Sequence, residues 1–333
     1  MQVPGKLGHL LHGLVAVSLF LLGGPAARAQ AQPAIQGGKP ITLVAGYPAG
    51  GGTDTLARHL AQRLQPLLNQ PVVVENITGA GTRIATQTLM RSPPDGLKLM
   101  MATSDITINQ ALRKAPPWNI DRDFTHIAIV ANAPLVYVVN ANVPVTTLKE
   151  FVDYARSREK DKPVNFGSGG IGSVLHLPAA ELAAKRKFTM VHIPYRGAAP
   201  MSQDLMSGQL EFGVVNPVQV AGREDKIRAL ALTGVNRHPL IPQVPTTAEA
   251  GFPDVSSTSF AEILGPANMP PEIVARIVRA LAAAVATDEY KKDMVASGVE
   301  PLFITGAALR RYLEADLKKW QDLGTQQQIV LED

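Results

Sequence analysis

The segment Ile41-Thr-Leu-Val-Ala-Gly-Tyr-Pro-Ala-Gly-Gly-Gly-Thr-Asp54 constrains this chain most. An apolar run of strand length meets three consecutive glycines and then a helix opening near Thr53. A strand that turns into a helix through glycine is the building unit of an α/β protein. Gly50, Gly51 and Gly52 carry no Cβ, so their backbone N–H groups can approach a ligand closely. The first turn of the helix adds unpaired N–H groups and the positive end of its dipole at the same spot. That combination makes a seat for an anion. The competing reading is a tight turn that needs glycine for geometry alone.

The same alternation runs through the rest of the sequence. Ile41–Ala45, Val72–Glu75, Lys98–Ala102, Ile127–Val130, Val136–Asn140, Val164–Phe166, Thr189–Ile193, Leu210–Val215 and Ala229–Thr233 read as strands. Several are continuously apolar, as expected of parallel strands covered on both faces. Thr53–Leu68, Gly81–Arg91, Thr147–Ser157, Ser202–Ser207, Pro271–Thr287, Asp288–Ser297 and Ala307–Gly324 read as helices. Pro271 suits a first turn, and Gly298 and Gly324 fall where helices stop. The pattern predicts an α/β fold with parallel sheets. Asn132–Pro144 and Thr258–Pro266 are extended, and they suit a chain that crosses between two lobes twice. Ile273, Ile277, Leu281 and Val285 share a helical face and are expected in a core, as are Trp118 and Trp320.

Met1–Ala29 reads as a cleavable export signal: Lys6 near the start, an apolar stretch from Leu10 to Leu22, and Ala27-Arg28-Ala29 as the cleavage pattern. The apolar stretch is shorter than the roughly 20 residues that span a bilayer. Cleavage after Ala29 removes Lys6 and Arg28 and leaves 30 basic against 28 acidic side chains, a net charge of +2. So near-neutral a chain gives no electrostatic case for nucleic acid or for a polybasic membrane contact. With no cysteine, disulfides, thiolate metal sites, cysteine nucleophiles and a lipoprotein anchor are excluded. A soluble periplasmic protein, with two lobes of ordinary size, is the expectation.

A second glycine loop lies at Asn165-Phe-Gly-Ser-Gly-Gly-Ile-Gly-Ser-Val-Leu-His-Leu177. Gly167, Gly169 and Gly172 match the spacing of a dinucleotide fingerprint. The following strand, ending Val191-His-Ile-Pro-Tyr-Arg196, offers no acid for a ribose, so no nucleotide cofactor is expected. The loop reads better as a second anion seat, with the Ser168 and Ser173 hydroxyls assisting backbone amides. If the next helix opens at Pro178, Ser173 lies in the loop and is not its cap. Two such loops from opposite halves of the chain suggest a clamp that closes on one ligand.

Taken in order, the motifs resemble one family. They are Tyr47-Pro-Ala-Gly-Gly-Gly-Thr-Asp54, Val74-Glu-Asn76 with Gly79-Ala-Gly81, Pro94-Asp-Gly96, Asp123-Phe124 with Ile127-Ala128, Gly167-Ser-Gly-Gly-Ile-Gly-Ser173 with His176-Leu177, Ile193-Pro-Tyr-Arg-Gly197, Gly208-Gln209, Lys226-Ile-Arg-Ala-Leu-Ala231, Val244-Pro-Thr-Thr-Ala-Glu-Ala-Gly251 and Trp320. The chain resembles the Bug family, the extracytoplasmic substrate-binding receptors of tripartite tricarboxylate transporters. The resemblance implies a type II periplasmic-binding-protein fold, two α/β lobes joined by two crossover strands with a ligand cleft between them. It places lobe 1 at residues 31–133 with 258–333 and lobe 2 at residues 134–257. It implies capture of a small carboxylate by main-chain amides, delivery to the transporter's membrane subunits, a monomeric state and no catalysis. Carried onto this chain, it puts Tyr47, Ala49, Gly51, Thr53 and Asp54 on one wall and Ser168, Gly169, Gly172 and Ser173 on the other. Thr103 and Ser104 follow a strand end and are further first-lobe candidates. Ile77-Thr-Gly-Ala-Gly-Thr82 and the short Gly213–Gly222 segment depart from the family pattern and bear on ligand choice.

Other residues have double readings. Asp54 either complements the helix dipole or accepts a bond from a ligand amine or a bridging water. Asp204 either fixes the Tyr195-Arg196-Gly197 turn or receives an amine. Arg196 either pairs a second carboxylate or lies solvated in its loop. Asn216, after Leu210–Val215, is a cleft candidate. His176 is expected to make a structural hydrogen bond, and the remaining histidines of the exported chain show no metal-ligand spacing. Three other functions compete with carboxylate transport. An exported hydrolase lacks a nucleophile-elbow motif. A ligand-dependent sensor subunit for a receptor kinase would use the same cleft, and a phosphate or phosphonate receptor would use the same loops.

Overall fold

The computed structural model describes residues 35–255, 257–327 and 329–331. The export signal read at residues 1–29 lies outside the described residues. Among these residues the chain forms two separate sheets, each flanked by helices.

The first sheet contains β1 (Ile41–Ala45), β2 (Val72–Asn76), β3 (Lys98–Ala102), β4 (Phe124–Ala133), β10 (Ser259–Pro266) and β11 (Glu300–Ile304), in the order β11-β4-β10-β3-β1-β2. The second contains β5 (Val136–Asn140), β6 (Val164–Ser168), β7 (Met190–Pro194), β8 (Phe212–Val215) and β9 (Ile227–Leu232), in the order β7-β6-β8-β5-β9. The chain leaves the first sheet at Ala133, enters the second at Val136, and returns as β10. The helices are α1 (Gly52–Leu68), α2 (Arg83–Met90), α3 (Asp105–Leu112), α4 (Ile120–Asp123), α5 (Leu148–Arg158), α6 (Leu177–Arg186), α7 (Ala198–Ser207), α8 (Pro217–Val220), α9 (Pro271–Val285), α10 (Asp288–Ala296) and α11 (Gly306–Gln327).

The parallel expectation holds for only part of each sheet. β1 runs parallel to β2 and β3, and β6 runs parallel to β7 and β8. β10 is antiparallel to both β3 and β4, and β5 is antiparallel to both β8 and β9. These two strands enter each sheet from the other, so no helical crossover sets their direction. All eight residues of β10 are buried, which makes this extended segment a central strand. β11, absent from the sequence reading, is an edge strand, where Pro301 needs no ladder partner for its nitrogen.

Both faces of each sheet are covered. One core of the first sheet joins Leu43 and Met101 to Leu60 and Leu64 of α1 and to Ile277 and Leu281 of α9. The other joins Val44 and Met100 to Leu89 of α2, Trp118, and Leu309 and Leu313 of α11. In the second sheet Tyr137 and Phe212 pack on Phe151 of α5, with the two phenylalanine rings stacked at 4.2 Å. Met201 and Leu205 of α7 cover the opposite face. A smaller cluster links the two halves: Ile108 and Leu112 of α3, Trp320 and Leu323 of α11, Leu331, and Leu177 at the start of α6.

Gly324 does not end α11. A Cβ there would fall 2.4 Å from Leu112 Cδ2, so its role is to let α11 lie close against α3. Gly298 does follow its helix in the left-handed region at φ +77°, as a C-terminal glycine should.

Candidate functional site

The loops singled out from sequence all follow the C-terminal ends of parallel strands: β1 delivers Tyr47–Gly51, β3 delivers Thr103–Ser104, β6 delivers Gly169–Ser173, β7 delivers Arg196 and β8 delivers Asn216. Open α/β sheets bind ligands beyond those ends.

The first glycine loop is held from beneath by Asp54. Its buried carboxylate accepts from the Gly50 amide at 2.9 Å, Asn76 Nδ2 at 2.9 Å and Arg58 Nε at 3.0 Å. Asn76 also donates to the Tyr47 carbonyl at 3.0 Å, tying the end of β2 to the loop. Burial alone would raise the Asp54 pKa, but Arg58, the Gly50 amide and Asn76 together lower it, so the group stays ionised. Asp54 thus ties the loop to β2 through Asn76 and to α1 through Arg58. α1 starts from Gly51 with no side chain capping it, which leaves its first-turn amides pointing outward beside Thr53. Ala49 and Gly50 are exposed, and Gly51 and Thr53 half-buried.

Tyr47 reaches inward, and its hydroxyl donates to Asp105 Oδ2. Asp105 opens α3 and is 2% exposed. Burial pushes its pKa up to about 6, against the opposing pull of Tyr47, Thr103 and the Val174 amide. Val174 belongs to the second glycine loop, so the Asp105 carboxyl lies where the two halves of the chain meet. Neither Thr103 nor Val174 completes a hydrogen bond to Oδ1: Asp105 Oδ1, Thr103 Oγ1 and Ser173 Oγ are all buried with no partner. Buried polar atoms are almost always satisfied, so three orphans around one junction call for an explanation.

Ser104 behaves differently. It is 1% exposed; its hydroxyl meets Ser259 Oγ at 3.2 Å and accepts from the Phe260 amide at 3.3 Å, which fastens α3 to the start of β10.

The second glycine loop is largely self-satisfied. The Gly170 amide donates to Ser168 Oγ at 3.1 Å, the Gly172 amide to His176 Nδ1 at 3.1 Å and the Ser173 amide to the Gly170 carbonyl at 3.1 Å. Ser168, fully buried, also meets His192 Nε2 at 2.7 Å. The His176 and His192 rings stack at 4.0 Å beside Phe166. Burial lowers the His176 pKa to about 3 and that of His192 to about 4, so both are neutral acceptors or donors inside the lobe. Gly169 packs against the Gly197 backbone and the first amide of α7, whose start also lacks a side-chain cap. Gly172 lies at φ +73° against Leu331. As expected, α6 has Pro178 in its first turn and Ser173 lies in the loop.

The remaining candidates do not converge on one point. Asp204 accepts from the Tyr195 hydroxyl at 2.6 Å and so fixes the ring beside Gly167. Burial and that bond raise the Tyr195 pKa to about 12. Arg196 is exposed. Asn216 caps α8 with Gln219 and sits against Gly298, where a Cβ would meet its Oδ1 at 2.0 Å. Sequence reasoning missed Asp105. It stopped at Ser104, although an acid in the first turn after a strand end was visible; the signal was indistinguishable from ordinary dipole complementation.

Among the described residues no group of three or more histidine, aspartate or glutamate side chains could hold a metal, and no helix is long and apolar enough to cross a membrane. Among the described residues one concavity lies between α6 and α11 beside Lys319 and another beside Leu112 and Gly324, and no residue of either glycine loop lines them.

The family described as the tripartite tricarboxylate transporter family receptor matches residues 56–329. A protein from Cupriavidus necator, known as the UPF0065 protein in the gbd 5' region, is 31% identical over 306 residues, 92% of each chain. Among solved structures, the periplasmic binding protein BugD superposes with a TM-score of 0.80 at 26% identity, covering 88% of this chain and 99% of its own. Rpa4515 from R. palustris, solved with adipate, gives 0.78 at 29% identity, covering 87% and 98%. MatC from Rhodopseudomonas palustris, solved with bound malate, gives 0.76 at 26% identity, covering 85% and 98%. The family match runs from within α1 to the end of α11 and takes in strands of both sheets, and the chain belongs to the family of tripartite tricarboxylate transporter receptors, a family of solute-binding receptors of two-lobed α/β fold.

Proposed function

We propose that this protein captures a small carboxylate in the periplasm between two lobes, residues 31–133 with 258–333 and residues 134–257, and delivers it as a monomer to the membrane subunits of a tripartite tricarboxylate transporter. The observation that carries the reading is the uncapped start of α1 above a glycine loop that Asp54, Asn76 and Arg58 hold in place. Outward first-turn amides with no competing side chain favour an anion by charge-assisted bonds. Gly51 and Thr53 supply this wall. Tyr47 and Thr103 flank it, and Gly169, Gly172 and Ser173 supply the facing loop with the uncapped start of α7 behind it. Adipate and malate in the two R. palustris relatives support a carboxylate over phosphate. Ser168 and His192 form a close pair, but Ser168 is fully buried, which argues against its use as a hydrolytic nucleophile.

The test is a thermal-shift screen of refolded protein against succinate, malate, citrate, adipate, aspartate, glutamate, benzoate and phosphate. A ligand at a thousand times its Kd stabilises by about 4 kcal/mol. A shift with one class of acid, lost in Thr53→Trp, supports carboxylate capture. Stabilisation by phosphate alone, or by no acid at all, removes it.

A further inference from the structure

Three acids stand near the glycine loops, and they differ in what remains of their bonding capacity. Asp54 is used up by Gly50, Asn76 and Arg58. Asp204 takes the Tyr195 hydroxyl at the foot of the β7 turn. Asp105 takes only the Tyr47 hydroxyl on Oδ2, and its Oδ1 is buried with nothing donating to it. No Lys or Arg pairs with it among the described residues, although a buried carboxylate without a cation is strongly disfavoured. Around it the Thr103 and Ser173 hydroxyls are also buried and unpartnered. One comes from the strand end that carries Asp105, the other from the facing loop next to Val174, which itself leans on the Asp105 carboxyl. The junction therefore offers three oxygen acceptors, one of them an acid, within a site where the uncapped start of α1 offers amide donors.

We propose that the ligand carries a protonated amine as well as its carboxylate, and that Asp105 Oδ1, with Thr103 Oγ1 and Ser173 Oγ, receives the ammonium. An alkylammonium has three N–H donors and no acceptor, which matches three orphaned oxygens. Its positive charge offsets the burial of Asp105, whereas a second ligand carboxylate at the same place would face a like charge. Because Thr103 and Asp105 come from one half of the chain and Ser173 from the other, the ammonium also bridges the two halves. The inference rests on the carboxylate reading above and narrows its ligand to amino acids.

Isothermal titration of the purified, refolded protein with matched pairs tests this: L-aspartate and succinate, L-glutamate and glutarate, 4-aminobutyrate and butyrate. Expected is at least one amino acid that binds a hundredfold or more tightly than its partner without the amine, with that preference abolished in Asp105→Asn. The wild-type comparison stands even if the variant folds poorly. Equal or tighter binding of succinate or glutarate overturns the ammonium assignment while the carboxylate reading survives; it would mean that Asp105 meets a carboxylate in its protonated form. An amine preference that persists unchanged in folded Asp105→Asn also overturns it. Binding of neither member of any pair removes both readings.

Discussion

Asp105 should weaken the empty protein, and the size of the effect follows from its burial. Its pKa rises from 3.8 to about 6 in the folded chain, chiefly because burial penalises the charged form. Below about pH 4 the carboxyl is protonated in both folded and unfolded states and makes no difference. Between there and pH 6 the unfolded chain ionises while the folded chain holds its proton, so stability is lost as pH rises. Above pH 6 the penalty is complete, and two pKa units correspond to about 3 kcal/mol. Asp105→Asn removes the charge and keeps an oxygen for the Tyr47 hydroxyl, while its amide group faces the Thr103 and Ser173 hydroxyls that have no partner. In ligand-free protein the variant should therefore gain about 3 kcal/mol at pH 8, a rise in Tm on the order of 5 °C, and almost nothing at pH 4. Melting curves of wild type and variant across that range measure the difference directly. A variant that is less stable at pH 8, or equally shifted at both ends, would show that Asp105 is a structural group whose charge the fold already satisfies.

The other predictions concern the two loops. Asp54→Ala leaves the Gly50 amide, Asn76 and Arg58 without their acceptor; denaturant unfolding should show a loss of about 2 kcal/mol or more, and unchanged stability would argue against the loop being built on this carboxylate. Gly172→Ala puts a Cβ 2.4 Å from Leu331 at φ +73°, for an expected destabilisation of about 1–3 kcal/mol; the same unfolding experiment checks it, and a neutral result would mean that Leu331 moves freely. His176 and His192 hold pKa values near 3 and 4, so the unfolded chain binds their protons first, and stability should fall as pH drops from about 6.5 towards 4. His176→Asn should flatten that acid limb in melting curves, and an unaltered pH profile would place the acid sensitivity elsewhere.

Much of this architecture was readable from local pattern. β1, β3 and β5 occupy the very residues that the apolar runs marked, and α1, α9 and α10 start within a residue or two of their expected positions. These elements combine strong periodicity with glycine or proline at the boundary, and both signals are local. α3 and α8 were not anticipated, and α6 was foreseen only through Pro178 in its first turn. α3 buries polar side chains such as Asn109 as well as apolar ones, and α6 is interrupted at its start by proline, so neither shows a clean amphipathic stripe. The glycine loops were legible as loops. Which of their amides face outward was not, because Gly170 and Gly172 spend theirs on Ser168 and His176.

The sequence by itself determined the chemistry available: two glycine loops at strand ends, no cysteine, near-neutral charge and an ordered set of motifs that named a family. Tertiary structure decided direction and pairing. β10 carries Glu262 through a fully buried strand because His126, 136 residues away, meets that carboxylate at 2.6 Å and turns to the Ile120 carbonyl with its other nitrogen. Burial works against a charge on His126, yet Glu262 outweighs it and raises the pKa. Asp105 likewise looks like any acid in a first helical turn until α3 is packed against α11 and the Ser173–Val174 loop closes over it. The physical reason is common to both cases. A side chain's type fixes which bonds it can make, but whether those bonds are satisfied depends on groups that only long-range packing brings within 3 Å or so.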